Sequence, residues 1–251
     1  MSFITDALRL ENHPVAVFRA ESMPEGAFTT QKGCGIPSLL MRCARLGDTC
    51  AADRAHVFCH GAVSGFGFGG MDDREHSSWA ASDVPEGRED EMRHGGKRHF
   101  ESPEIALKQL ENIRDYGDGS DAIVFKDLVE AERDGDPVEV VVFVCDPTRI
   151  SALALLAGYS RDSSDPAVIS PYAHACQAVY AIPRAEGGTE HPHAVIGMTD
   201  MYARRYLRPD EMTFAVPYGM YRRMESDAPK SFLGTEKWAE TLEKCLKSKQ
   251  E

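Results

Sequence analysis

A chain of 251 residues, 42% hydrophobic and 27% charged, has the composition of a soluble globular protein and ample length for a buried core. Its formal net charge of −12 argues against a general binder of nucleic acid or anionic membrane, since both surfaces are themselves negative. The longest apolar run, Val138 to Val144, is far too short to span a bilayer.

The N-terminal stretch MSFITDALRLENHP lacks a basic segment followed by an apolar one, so no signal peptide is read there and the cytoplasm is the default compartment. The seven cysteines, an odd number, are then expected as free thiols, ligands or nucleophiles rather than disulfides. No C-x-x-C occurs, so the common zinc-ribbon and ferredoxin spacings are absent.

In chain order, Ser2 to Leu10 has the spacing of a short amphipathic helix, and Pro14 to Arg19 (PVAVFR) reads as a strand. Cys34 lies between Gly33 and Gly35, just ahead of a helix that Pro37 can open and Gly47 can close. A thiol at that place is favoured as thiolate by the helix N-terminus. Ile36, Leu39, Leu40, Cys43 and Leu46 share a helical face, which makes Cys43 a core residue. Cys50 falls in the next turn.

His56 to His60 (HVFCH) is strand-like and runs into GAVSGFGFGG. Gly61, Gly65 and Gly67 are read as a loop that lets the backbone pass close to something bulky. The pattern is not the dinucleotide fingerprint, because no helix is expected directly after it. Residues 71–99 are polar and acidic and read as a long surface loop; its basic RHGGKRH is taken as solvated.

Ser102-Pro103-Glu104 has the form of a helix start, with Ile105, Leu107, Leu110 and Ile113 as the buried side. Ala122 to Phe125 is a strand. Val138 to Cys145 is the strongest strand, apolar nearly throughout, and Asp146-Pro147 caps a helix over Thr148 to Ala157. Ala167 to Pro171 is a short strand leading to Tyr172-Ala173-His174-Ala175-Cys176, where small residues permit close approach by a cofactor. His191-Pro192-His193 reads as a loop with solvated histidines. A strand at Ala194 to Gly197, a short helix over Thr199 to Leu207, a strand at Met212 to Val216 and a final amphipathic helix around Trp238 to Leu246 complete the chain.

These elements imply an α/β (mixed α+β) fold: one domain over 1–251 with a central mixed β-sheet flanked by helices.

Several pieces recur together: Cys34 with Ala44-Arg45-Leu46-Gly47, Cys59-His60-Gly61 with Gly65-Phe66-Gly67, Ser102 to Glu104, Phe125-Lys126-x-Leu128, VVVFVCDPTRISALALLAGY, Pro171 with Cys176-Gln177, VIGMTDMYARR, TFAVPYGMY and SFLGTEKW. In that order they resemble the uncharacterised family known as domain of unknown function 169, or ArCR, over roughly Pro14 to Trp238. The resemblance implies no reaction. It marks three cysteine positions, matched by Cys34, Cys59 and Cys176. The chain departs from the family pattern at His60 and Asp127, where proline is usual, and at His174, which replaces a glycine.

Three functions follow as expectations. The first is a cysteine-ligated metal site, an iron–sulfur cluster ahead of zinc, held by Cys34, Cys59 and Cys176 with His60 or His174 as a further ligand, and with Gly35, Gly61, Gly65 and Gly67 lining the cofactor. The second is a thiol enzyme using Cys34 with a histidine base. The third is a non-catalytic small-molecule-binding module in which the cysteines only pack. A small molecule or a redox partner is expected, nucleic acid and membrane are not, and a homo-oligomer is compatible with all three.

Overall fold

The computed structural model describes residues 2–30, 35–57, 59–68, 82, 98–110, 122–172 and 174–247. Its centre is a seven-stranded mixed sheet in the order β2-β3-β1-β4-β7-β6-β5. The strands are β1 (Val15–Ala20), β2 (Cys50–Asp53), β3 (Ala122–Asp127), β4 (Val140–Cys145), β5 (Val168–Ile169), β6 (Ala194–Gly197) and β7 (Met212–Pro217). Every pairing is antiparallel except β5 with β6. Among the described residues no helix is long and apolar enough to cross a membrane.

All six residues of β4 are buried, which explains why that strand is apolar on both faces rather than alternating. One face takes Val15, Val17, Ile123, Phe125, Val140, Val142 and Val144, packed under α2 (Gly35–Leu46) and α3 (His60–Phe66) through Leu39, Leu40, Cys43, Ala62, Val63 and Phe66. The opposite face takes Ala16, Phe18, Val124, Val141, Phe143, Phe214 and Val216. Five helices lie over or around it: α1 (Phe3–Leu8), α5 (Leu128–Asp134), α6 (Pro147–Ala157), α8 (Tyr218–Asp227) and α9 (Glu236–Lys247). Side chains alternate between faces with the period of two that a strand dictates. Two helices sit elsewhere, α4 (Pro103–Leu110) and α7 (Ile182–Glu186).

Local signals account for most ends. Asp146 accepts from the Thr148 and Arg149 amides at 2.9 and 3.2 Å and so caps α6, with Pro147 at its first position. Gly47 closes α2 at φ +73, its amide on the Cys43 carbonyl at 2.8 Å. Arg149, 3% exposed, ties α6 to α1 by donating to the carbonyls of Leu8 (2.9 Å) and Arg9 (2.7 Å) while pairing with Asp146.

The structure corrects four local readings. The described residues of HVFCH lie in no strand: Arg54–His56 is a 3-10 turn whose Ala55 and His56 amides are held by the Asp53 carboxylate, and α3 opens at His60. Cys50 lies in a strand rather than a turn, because Cys50–Asp53 pairs with β3 and bridges to Phe28. Ile105 is 41% exposed, and among the described side chains of α4 it is Ala106 that is buried. Between Thr199 and Leu207 only Arg204–Tyr206 is helical, as a 3-10 turn. Within 71–99, only Ser82, Arg98 and His99 belong to the described residues.

Candidate functional site

Two chain segments meet on the α2/α3 side of the sheet. The first is α3. The Cys59 carbonyl accepts from the Ala62 and Val63 amides, both at 3.1 Å, so Cys59 stands at the helix start. Ala62, Val63 and Phe66 go down into the core. Gly61 and Gly65, one helical turn apart, lie along another strip. A Cβ added at Gly61 would fall 3.0 Å from the His174 Cβ. One added at Gly65 would fall 2.9 Å from the Cys176 Cβ and 3.0 Å from both the Cys176 carbonyl carbon and the Gln177 nitrogen. The glycines are a seat for the second segment, backbone against backbone.

This corrects the reading of Gly61 and Gly65 as a loop: both are helical, and the chain around His174 and Cys176 lies close against them. Packing against distant residues outweighs the poor helix propensity of glycine here. Gly67, at φ +68, sits just past the helix end, in a conformation that suits glycine.

The second segment is Tyr172 to Gln177. The His174 amide donates to the Gln177 side-chain oxygen at 3.0 Å, and the His174 carbonyl accepts from the Gln177 and Ala178 amides at 3.0 and 3.1 Å. Gln177–Ala181 then forms a π-helical turn, closed by the Ile182 amide on the Gln177 carbonyl. Cys176 is 2% exposed and belongs to the core cluster, against which Cys59 packs while only partly buried.

The His174 imidazole is buried, with its Nδ1 3.8 Å from an Asp200 carboxylate oxygen. Tyr172 stands edge-on to it, ring centroids 6.3 Å apart. Phe100 packs on Tyr172 at 4.5 Å, and the His99 Nδ1 lies 3.2 Å from the Tyr172 hydroxyl. His99 also faces Tyr202 at 6.4 Å, and Met201 beside it is 69% exposed. The rings thus form a wall running from solvent inward to His174. Burial, and next the Asp200 carboxylate, push the Tyr172 hydroxyl well above its usual range, so it stays a donor.

The other cysteines separate cleanly. Cys43, Cys50 and Cys145 are buried. Burial pushes the Cys43 thiol far up, and burial first among several causes raises Cys50 to about 11, so neither is a thiolate at neutral pH. Cys245 lies in α9. Gly35 is the first residue of α2, and His60 the first of α3. Cys34 lies outside the described residues. Among those residues no group of three or more His, Cys, Asp or Glu side chains is disposed to hold a metal ion. Cys59, His174 and Cys176 therefore form no closed ligand shell by themselves. Away from this site, His193 is not a solvated histidine: its Nδ1 pairs with Glu186 at 2.5 Å.

Sequence reasoning gave no role to Asp200 or Tyr172, and it took His99 as solvated, whereas the His99 ring meets the Tyr172 hydroxyl. The first two lie inside runs already singled out, VIGMTDMYARR and the stretch before Cys176, and only the fold shows that those runs adjoin.

A family model described as "Uncharacterised ArCR", domain of unknown function 169, matches residues 4–227. No curated protein and no solved structure matches the chain.

Proposed function

The chain belongs to the ArCR family, domain of unknown function 169, and from that premise we propose that it carries a cysteine-ligated metal centre, an iron–sulfur cluster ahead of zinc. Cys59 and Cys176 are its candidate thiolate ligands within the described residues, Cys34 is the third, and His174 or His60 is the further ligand. The observation that supports this reading is the seat of α3 at Gly61 and Gly65, which brings the segment after Cys59 into van der Waals contact with His174 and Cys176. Thiolates are soft ligands suited to clusters and to zinc. Bound there, such a centre would supply electron transfer or an open iron for substrate. The described side chains alone do not close its shell, so the proposal requires Cys34.

Anaerobic purification followed by visible absorption and by iron, zinc and sulfide analysis is the test. Protein with stoichiometric metal that is lost in Cys34→Ser, Cys59→Ser and Cys176→Ser supports the centre. Colourless, metal-free protein under strict anaerobiosis refutes it.

One observation favours a second reading, a small-molecule-binding module with structural cysteines. Cys176 is 2% exposed within the core cluster, where a thiol can serve packing alone. On that reading the three serine variants stay folded and keep whatever ligand the wild type binds.

A further inference from the structure

Asp200 has no part in the centre proposed above, yet it is held as if its direction mattered. It is 6% exposed and sits in the turn after β6. Its two oxygens have different tasks. Oδ1 accepts from the Tyr202 amide at 3.0 Å, while Oδ2 faces the Nδ1 of His174 at 3.8 Å. The Asp200 carbonyl accepts from the Ala203 amide at 2.9 Å, which fixes the turn itself.

The imidazole is fixed from its other sides. A Cβ at Gly61 would lie 3.0, 3.1 and 3.3 Å from the His174 Cβ, Cγ and Cδ2, so α3 already rests on the ring's root. Tyr172 flanks the ring, and Gln177 holds the backbone amide of His174. A buried carboxylate facing Nδ1 favours the form with the proton on that nitrogen, because an N–H dipole points its positive end at the negative charge whereas a lone pair would be repelled. The other nitrogen, Nε2, is then left with its lone pair.

We propose that Asp200 is a positioning residue that fixes His174 as the Nδ1–H tautomer, so that Nε2 is the nitrogen presented to a metal ion. A carboxylate behind a ligating histidine raises its basicity and sets its orientation. The metal half of this statement rests on the proposed centre; the tautomer half does not.

The tautomer is read directly in metal-free, 15N-histidine-labelled protein by two-bond 1H–15N correlation, with His174 assigned from the signal missing in His174→Ala. At about pH 8.5, above the usual imidazole range, wild-type protein should show Nδ1–H. Asp200→Ser keeps a hydroxyl for the Tyr202 amide and removes the oxygen facing the ring; it should shift His174 toward Nε2–H. Asp200→Asn, which keeps the shape without the charge, should fall between and serves as readout if the serine variant does not fold. A wild-type ring that is Nε2–H or doubly protonated, or a tautomer unchanged in both variants, would overturn the assignment.

In a second arm, zinc affinity by chelator competition should drop about 10- to 100-fold in Asp200→Ser. An unchanged affinity removes the metal half. If wild-type protein binds neither zinc nor a cluster while the tautomer responds as expected, the centre fails and the Asp200–His174 pairing stands.

Discussion

Replacing Gly65 by alanine sets two opposing effects against each other, and the structure decides the sign. In an open helix position the change gains about 0.8–1.0 kcal/mol of helix propensity. At Gly65 the new methyl would meet the Cys176 Cβ at 2.9 Å and two backbone atoms, the Cys176 carbonyl carbon and the Gln177 nitrogen, at 3.0 Å. Backbone cannot rotate aside as a side-chain tip can. The overpacking cost therefore belongs at the upper end of the usual range of about 1–3 kcal/mol. The net expectation is a loss of about 2 kcal/mol, which lowers the urea midpoint by about 0.7–1 M at a slope of about 2–3 kcal/mol/M. Gly219 in α8 is the control, because an added Cβ there has nothing within 4 Å. Gly219→Ala should be neutral to stabilising, by up to about 1 kcal/mol. Urea denaturation of both variants, followed by far-UV circular dichroism, compares the same chemical change in two settings. A Gly65→Ala protein as stable as wild type would refute the seating of α3 on Cys176, and so would an equal loss at Gly219.

Three further outcomes follow from the same structure. Arg149→Met leaves Asp146 and two carbonyls without their buried partner and should cost about 3–5 kcal/mol by urea denaturation, whereas a loss under 1 kcal/mol would mean that the pair is dispensable. At pH 8, iodoacetamide with peptide mass mapping should label the partly exposed Cys59 and Cys245 ahead of the buried Cys43, Cys50, Cys145 and Cys176; equal labelling of Cys43 would contradict its burial. Hydrogen bonds from Arg133 and then Lys126 hold the Asp134 carboxyl at about 2 rather than 3.8. Its folded-state value is depressed, so its contribution to stability is present above pH 3.8 and is lost as the pH falls toward 2. A carboxyl-carbon NMR titration of Asp134 with its midpoint near 3.8 would show that the bridge does not form in solution.

What could be read from the chain alone was whatever local chemistry dictates. Val140 to Cys145 announces a covered strand by being apolar at every position, and Asp146-Pro147 announces the helix that follows. Leu39, Leu40 and Cys43 declare the buried side of α2 by their spacing. Two of the failures share one cause, a partner far away in sequence. GAVSGF looks like a loop because glycine disfavours helix locally; it is a helix because Cys176 and Gln177 come too close for any side chain at Gly65. CAAD has no alternating pattern and becomes a strand through its pairing with Ala122 to Phe125. The sequence singles out Cys59 and Cys176 as motif positions and His174 as a departure beside one of them, whereas Asp200 goes unnoticed, because a carboxylate behind an imidazole leaves no spacing signal when the two sit on separate loops.

The π-helical turn at Gln177–Ala181 has a consequence for how this chain tolerates length changes. A π turn holds one residue more than an α turn over nearly the same rise. Removing one residue from 177 to 179, ahead of Tyr180, would let the segment relax to α pitch, and each residue of an α-helix turns the chain by about 100°. Tyr180, near the end of the turn, is anchored by the Arg19 side chain at 3.1 Å and by Glu139. The rotation would therefore be taken up on the other side, carrying His174 and Cys176 off the glycine strip. Which way those two side chains face is thus set by residue count as much as by residue type, and a single-residue deletion there would be felt more sharply than most substitutions.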